Sequence, residues 1–216
     1  MSQFKPILLT VSLLLAFGVE WTRADVIYDT YPKGTDGYYT VRSVGLSSPQ
    51  AVAEQFTPSA NYSFTSATLA LFLVSGTNDF TVSIDDASGP GGTPGAALET
   101  FANVAATPDQ TTDLTLNSVT HPELLSGDNY YLVAIAEGSD TYGGWTLVPT
   151  AGGPFDYGTS SADGGNTWGT INYGNAAAFE IVGAVPEPAT LSLLGLGTVA
   201  LLSHRHRLIE EIRTLN

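Results

Sequence analysis

Two uncharged, predominantly apolar runs bracket this chain, Ile7 to Val19 and Ala189 to Leu202, and the long stretch between them alternates on a much shorter scale. In that middle stretch Val26 to Tyr31, Ala51 to Phe56, Ala67 to Val74, Phe80 to Asp85, Leu98 to Val104, Asp113 to Val119, Tyr130 to Ala136, Trp145 to Val148 and Ala177 to Val182 read as strands. Thr81-Val82-Ser83-Ile84 has the period of two of a half-exposed strand. Leu69 to Val74 is almost continuously apolar, as in a central strand covered on both faces. Ser88-Gly89-Pro90-Gly91-Gly92-Thr93-Pro94-Gly95 predicts a loop, because its prolines donate no amide hydrogen and its glycines allow positive φ, and it would join two strands as a hairpin. Pro122-Glu123-Leu124-Leu125 predicts a single helical turn before the Gly127-Asp128-Asn129 turn. No long helical period interrupts the pattern. The expected fold is all-β, a single antiparallel β-sandwich of jelly-roll type, flanked by an N-terminal signal helix and a C-terminal hydrophobic helix.

The ends predict an address. Lys5 precedes the first run, which is 13 residues long, and Thr22-Arg23-Ala24 puts small residues at the positions a signal peptidase inspects, so cleavage between Ala24 and Asp25 is expected. The abrupt change to polar Asp25-Val26-Ile27-Tyr28-Asp29 favours this over a buried first helix. The second run has 14 residues, rising about 21 Å as a helix against a hydrocarbon core of about 30 Å, which is short for a permanent span. Being apolar on all faces, it fits a membrane segment better than a docked surface helix. Arg205 and Arg207, like Lys5, are expected to stay cytoplasmic, leaving everything between outside. Three segments follow: residues 1–24 as signal peptide, 25–183 as exported domain and 184–216 as tail.

Charge narrows the partners. From Asp25 to Val185 there are 17 acidic residues against Lys33 and Arg42, a balance of −15 in a chain whose total is −14. Such a surface cannot neutralise phosphates, so nucleic acid is not an expected partner. Cysteine is absent, which removes disulfides, thiolate metal sites and cysteine nucleophiles.

Catalytic constellations are not apparent. His121 is the one histidine of the exported part, and no Gly-x-Ser-x-Gly elbow accompanies it. Asp85, Asp86, Glu137, Asp140, Asp156 and Asp163 are the carboxylates a glycosidase pair would draw on, and nothing in their spacing marks a pair. No cofactor and no metal site is expected. Calcium is the one ion whose ligand chemistry the loops could meet, through Asp85-Asp86 or through Asp156 and Asp163 near Gly164-Gly165-Asn166. Tyr142, Trp145, Phe155, Tyr157, Trp168 and Tyr173 crowd a glycine-rich stretch. Tyr142, Trp145, Trp168 and Tyr173 could form a platform for sugar rings, but the same tryptophans could fill the core.

Val185-Pro186-Glu187-Pro188, an apolar helix containing Gly195 and Gly197, and the basic cluster with Arg205 and Arg207 together resemble the PEP-CTERM sorting domain of Gram-negative bacteria. The resemblance implies recognition by an exosortase, a membrane transpeptidase-like enzyme that cuts near Pro186, Glu187 and Pro188. Leu208 to Asn216 extends past the point where such tails usually stop. The series Ala53-Glu54-Gln55-Phe56, Leu69 to Val74, Gly91-Gly92-Thr93-Pro94-Gly95, Leu125 to Val133 and Gly143-Gly144-Trp145 also resembles the choice-of-anchor β-sandwich ectodomain over Asp25 to Val182. That resemblance implies a modular surface domain and transfers no catalytic residue. The expected role is a non-enzymatic structural or adhesive protein of the cell surface, outer membrane or extracellular matrix, anchored transiently in the inner membrane. A polysaccharide-binding module is the competing reading, and an exported carbohydrate-active hydrolase is a third.

Overall fold

The computed structural model describes residues 24–32, 37–110, 112–148, 158–170 and 175–185. The two expected terminal helices lie outside the described residues. Fourteen strands occupy the described chain: β1 (Ala24–Asp29), β2 (Tyr38–Arg42), β3 (Ala51–Phe56), β4 (Tyr62–Leu69), β5 (Leu71–Ser75), β6 (Phe80–Asp86), β7 (Ala97–Val104), β8 (Leu114–Asn117), β9 (Glu123–Leu124), β10 (Tyr130–Ala136), β11 (Tyr142–Thr146), β12 (Thr159–Ser161), β13 (Gly169–Thr170) and β14 (Phe179–Ala184). They form a five-stranded sheet in the order β1-β14-β4-β8 with β9 also on β4, a six-stranded sheet β13-β12-β3-β10-β6-β7, and a three-stranded sheet β2-β11-β5. Neighbouring strands in all three sheets run antiparallel. The all-β expectation holds.

Alternation builds the core. In β10, Tyr130, Leu132, Ala134 and Ala136 point inward, while Tyr131 and Val133 join a separate cluster with Ala53 on the other face of the sheet. Phe56 of the six-stranded sheet meets Phe179 of the five-stranded sheet edge-on, ring centroids 6.4 Å apart. The three-stranded sheet adds Tyr39, Val41, Leu71 and Trp145 to the same core. Each buried side chain of this size contributes about 1.5–3 kcal/mol of burial free energy, so the shared aromatic seam is the main tie between the sheets.

Two local expectations are corrected. The apolar run Leu69 to Val74 is not one strand: β4 ends at Leu69, β5 begins at Leu71, and the chain changes sheets at Ala70. The Ala70 N–H donates to Ala178 O (3.1 Å) and its carbonyl accepts from Thr146 N (3.0 Å), so neither polar group is stranded at the crossing. Pro122 to Leu125 forms no helical turn. Leu124 is fully buried and β9 pairs with Tyr62 and Ser63, while Pro122 O accepts from Phe64 N (2.9 Å), so β4 and the core together impose extended backbone. The Pro-Gly loop does join a hairpin, linking β6 to β7, with Gly91 and Gly92 at φ +73° and +82°.

Candidate functional site

The sorting residues Pro186, Glu187, Pro188, Arg205 and Arg207 lie outside the described residues, but the strand leading to them is well defined. β14 is interior to its sheet. Ala184 faces Ala24 of β1 on one side and Ser63 of β4 on the other, and Asp25 faces Gly183. The expected signal-cleavage residues Ala24 and Asp25 therefore open the strand that pairs with the strand entering the tail. Ala184 is 8 % exposed and Val185 42 %, so the chain leaves the sheet abruptly at that point. Among the described residues no helix is long and apolar enough to cross a membrane.

The proposed aromatic platform is not assembled. Trp145 is fully buried, its indole N–H donates to Ala178 O (3.0 Å), and its ring meets Phe179 edge-on at 6.1 Å. The glycines before it explain that position: a Cβ on Gly143 would fall 2.6 Å from Phe80 Cζ, and one on Gly144 2.5 Å from Phe72 Cζ. Trp168 packs instead beside the Ala53, Tyr131 and Val133 cluster of the six-stranded sheet, and Tyr142 stacks under the Arg42 guanidinium at 4.3 Å. Tyr173, with Phe155, Tyr157 and Asp156, lies outside the described residues.

Of the carboxylates considered for calcium, Asp85, Asp86 and Asp163 are placed, while Asp156 lies outside the described residues. Asp85 and Asp86 are adjacent in a strand and so leave it on opposite faces. Asp86 Oδ1 accepts from Ser88 N (3.0 Å) and Ala96 N (2.8 Å), and the hydrogen bonds, led by that from the Ser88 hydroxyl, hold its carboxyl below the usual range. Asp85 is 8 % exposed, its Oδ1 has no partner, and burial pushes its carboxyl up. Asp163 accepts from Ser161 Oγ (2.6 Å), Thr167 N (2.9 Å) and Thr167 Oγ1 (2.7 Å), which lowers it to about 2. Asp140 Oδ1 accepts from Thr77 N (3.3 Å). Among the described residues no group of three or more His, Asp or Glu is placed to hold a metal ion.

His121 sits in the 118–121 turn, bonded to Ser118 and Phe64. Its Nδ1 lies 3.0 Å from Phe64 O, which can only accept, so the proton resides on Nδ1. Its backbone N–H donates to Ser118 Oγ (2.8 Å), and Ser118 Oγ in turn donates to Glu99 Oε2 (2.5 Å). Glu99 Oε1 also accepts from Val119 N (2.6 Å) and Thr120 N (3.1 Å). Burial pushes Glu99 up, but these donors outweigh it and hold the carboxyl below its ordinary value.

Glu54 has the opposite surroundings. It is fully buried on the interior face of β3, which it shares with Val52 and Phe56, and neither oxygen makes a well-formed hydrogen bond, the Ala177 N–H being its one weak donor. Desolvation raises it to about 8, opposed only weakly by the Ala177 N–H. Gly158 leaves the space it occupies, since a Cβ there would sit 2.9 Å from Oε1. Glu54 and Glu99 were not singled out by motif reading. The signal for Glu54 was its parity with two large apolar neighbours in Ala51-Val52-Ala53-Glu54-Gln55-Phe56.

These residues describe an all-β domain in which Asp86, Glu99 and Asp163 tie down loops and whose strand β14 ends at Ala184, where the motif match begins. Residues 184–207 match the family model of the PEP-CTERM protein-sorting motif, so the chain is an exosortase substrate, exported and held at a membrane before processing. No curated protein matches the chain.

Proposed function

We propose that the exported domain is a non-enzymatic structural or adhesive component of the cell surface or extracellular matrix, delivered there by its sorting tail. The observation that carries this reading is the use made of the carboxylates. Asp86, Glu99 and Asp163 each tie down a loop, and Asp85 and Glu54 project from opposite faces of the six-stranded sheet. No two of these face one another across a cleft as a glycosidase pair must. A rigid sandwich with internally satisfied loops and a strongly acidic surface suits a scaffold that must stay soluble while crowded.

The test uses a strain lacking the chain, complemented either with the full chain or with one ending at Val185. Cell aggregation and retention of the protein in the matrix fraction are expected to return with the full chain and not with the truncated one. Release of new reducing ends from the host's extracellular polysaccharide by the purified mature protein would overturn the non-enzymatic reading.

A further inference from the structure

The three-stranded sheet carries a polar face that the core does not use. Tyr39 and Val41 of β2 point into the core, so Tyr38, Thr40 and Arg42 leave on the opposite side. Register lines up four side chains there: Gln50 faces Arg42, Arg42 faces Tyr142, and Tyr142 faces Ser75. Residues directly opposite one another across strands share a face. Neighbouring strands lie about 4.8 Å apart, so the row is about 14 Å long. Gln50, Arg42 and Tyr142 are half-buried and Ser75 is exposed, which leaves the row open to solvent along its length.

Arg42 is the only lysine or arginine among the described residues, and no carboxylate among them pairs with it, although acids outnumber bases 17 to 2 from Asp25 to Val185. Its guanidinium lies 4.3 Å from the centroid of the Tyr142 ring, which fixes its position, yet a phenol can take up only part of its five N–H donors. The Thr40 hydroxyl donates to Gln50 Oε1 (2.5 Å), so that amide is oriented while its NH2 group stays unclaimed among the described residues. Tyr38 Oη lies 3.4 Å from Tyr142 Oη, and that bond, with Arg42 beside it, holds the Tyr142 phenol below its ordinary value. Gly144 lets the two rings meet, since a Cβ there would fall 2.6 Å from Tyr38 Cδ2. The row is therefore held in place by its own sheet and keeps donors to spare.

We propose that Gln50, Arg42, Tyr142 and Ser75 form a binding site for a carboxylated glycan, in which Arg42 holds the carboxylate of one acid sugar and the flanking groups hold hydroxyls of its neighbours. The best acceptor for a fixed guanidinium is a carboxylate, through two parallel N–H···O bonds. A small anion would use one step of the row, but the row continues on both sides with an amide and two hydroxyls, which bond the mixed donors and acceptors of a sugar chain. The acid-rich domain repels a densely charged polymer, so the chain that fits spaces its acid sugars with neutral ones. The choice of a glycan over another carboxylate rests on the adhesive reading proposed above, and the site supplies that reading with a partner.

The test titrates the mature protein, purified from its native host, with a hyaluronan hexasaccharide, whose glucuronate and N-acetylglucosamine residues alternate. The control is the same hexasaccharide with its carboxyl groups reduced to alcohols. Binding of the acid form is expected, with the reduced form weaker by about tenfold or more, the worth of a charge-assisted contact. Arg42→Gln should cost as much for the acid form and nothing for the reduced one. Gln50→Glu is the second variant: it places a carboxylate directly across from Arg42, so it should abolish binding of the acid form while the urea midpoint stays level or rises. Equal binding of the two hexasaccharides, binding of neither, or parental affinity in Arg42→Gln overturns the site. Binding of a peptide through its free C-terminal carboxylate, without the hexasaccharide, overturns the glycan assignment. Retention of Gln50→Glu in the matrix fraction at the parental level, with hexasaccharide binding lost, overturns the adhesive use of the site and leaves the site itself standing.

Discussion

Glu54 and Glu99 are both withdrawn from water, at 0 % and 6 % exposure, yet they occupy opposite kinds of place. Glu99 sits where the 118–121 turn closes over β7, and three groups from that turn donate to its oxygens. Glu54 stands between the sheets among Val52, Phe56 and Leu132, with only the Ala177 N–H as a weak donor nearby. One carboxyl is held below its ordinary value and the other is raised to about 8. Burial thus does not decide the charge of an acid; the supply of donors does. The rim of this domain is built to keep carboxylates ionised, and its interior to keep one protonated.

The largest consequence is a pH dependence set by Glu54. In the unfolded chain it titrates near 4.5 and in the folded chain at about 8, so between those values the folded state carries the extra proton. The contribution is fully present below the unfolded value and is lost as pH rises through the folded one, at about 1.4 kcal/mol per pH unit. Glu54→Leu should remove that slope and leave the domain more stable than the parent at pH 8. Urea midpoints of parent and variant at pH 5, 6.5 and 8 check this, and parallel curves would erase the distinction between the two acids.

Glu99→Ala should act with the opposite sign and less force. It strands the Val119 and Thr120 amides and costs about 2–3 kcal/mol at neutral pH. Because the folded carboxyl titrates below the unfolded one, this stabilisation is present above the unfolded value and is lost as pH falls through the folded one. Asp86 follows the same sign, and Asp86→Ala, which frees the Ser88 and Ala96 amides at the hairpin loop, should cost about 1 kcal/mol. With the rim losing stability in acid and the interior losing it in base, these groups place the stability maximum on the acid side of neutrality. A denaturation series from pH 3 to 9 locates it, and a maximum above pH 8 would contradict the assignment.

The sheet content was legible because alternation is local: β3 and β10 fall on the residues their apolar pattern marks, and the glycine-proline hairpin loop needs no tertiary information. The crossing at Ala70 was not legible, since alternation passes through it unchanged and only the partners on either side reveal two strands. β9 was hidden for a related reason. Proline followed by Glu-Leu-Leu suits a helix start in isolation, and it is the slot for Leu124 and the bonding demand of β4 that extend it. The platform of Trp145 and Trp168 failed because closeness in sequence says nothing about which sheet face a ring leaves from. The tail was readable without any structure, as its signal is composition and order along the chain.

Asp163 gives the smallest expected effect and the sharpest local one. Its carboxylate ties Ser161 to Thr167 across a turn that also uses Gly165 N–H to Ser161 Oγ (2.8 Å), and the turn delivers Trp168 onto the cluster of Ala53, Tyr131 and Val133. The carboxyl faces solvent, so the tie organises a loop without carrying core packing. Asp163→Ala should leave the urea midpoint unresolved from the parent, yet speed amide exchange at Gly165 and Thr167 and shift tryptophan emission to the red. Trp145 is sealed in the core and Trp21 precedes the expected signal cleavage, so in the domain starting at Asp25 that shift would report Trp168. Because the folded carboxyl titrates at about 2, well below its ordinary 3.8, the parent should hold its emission down to that region and then change as pH falls through it. A loss of global stability in Asp163→Ala as large as in Glu99→Ala would mean that this loop is part of the cooperative core, and the division between interior and rim would have to be redrawn there.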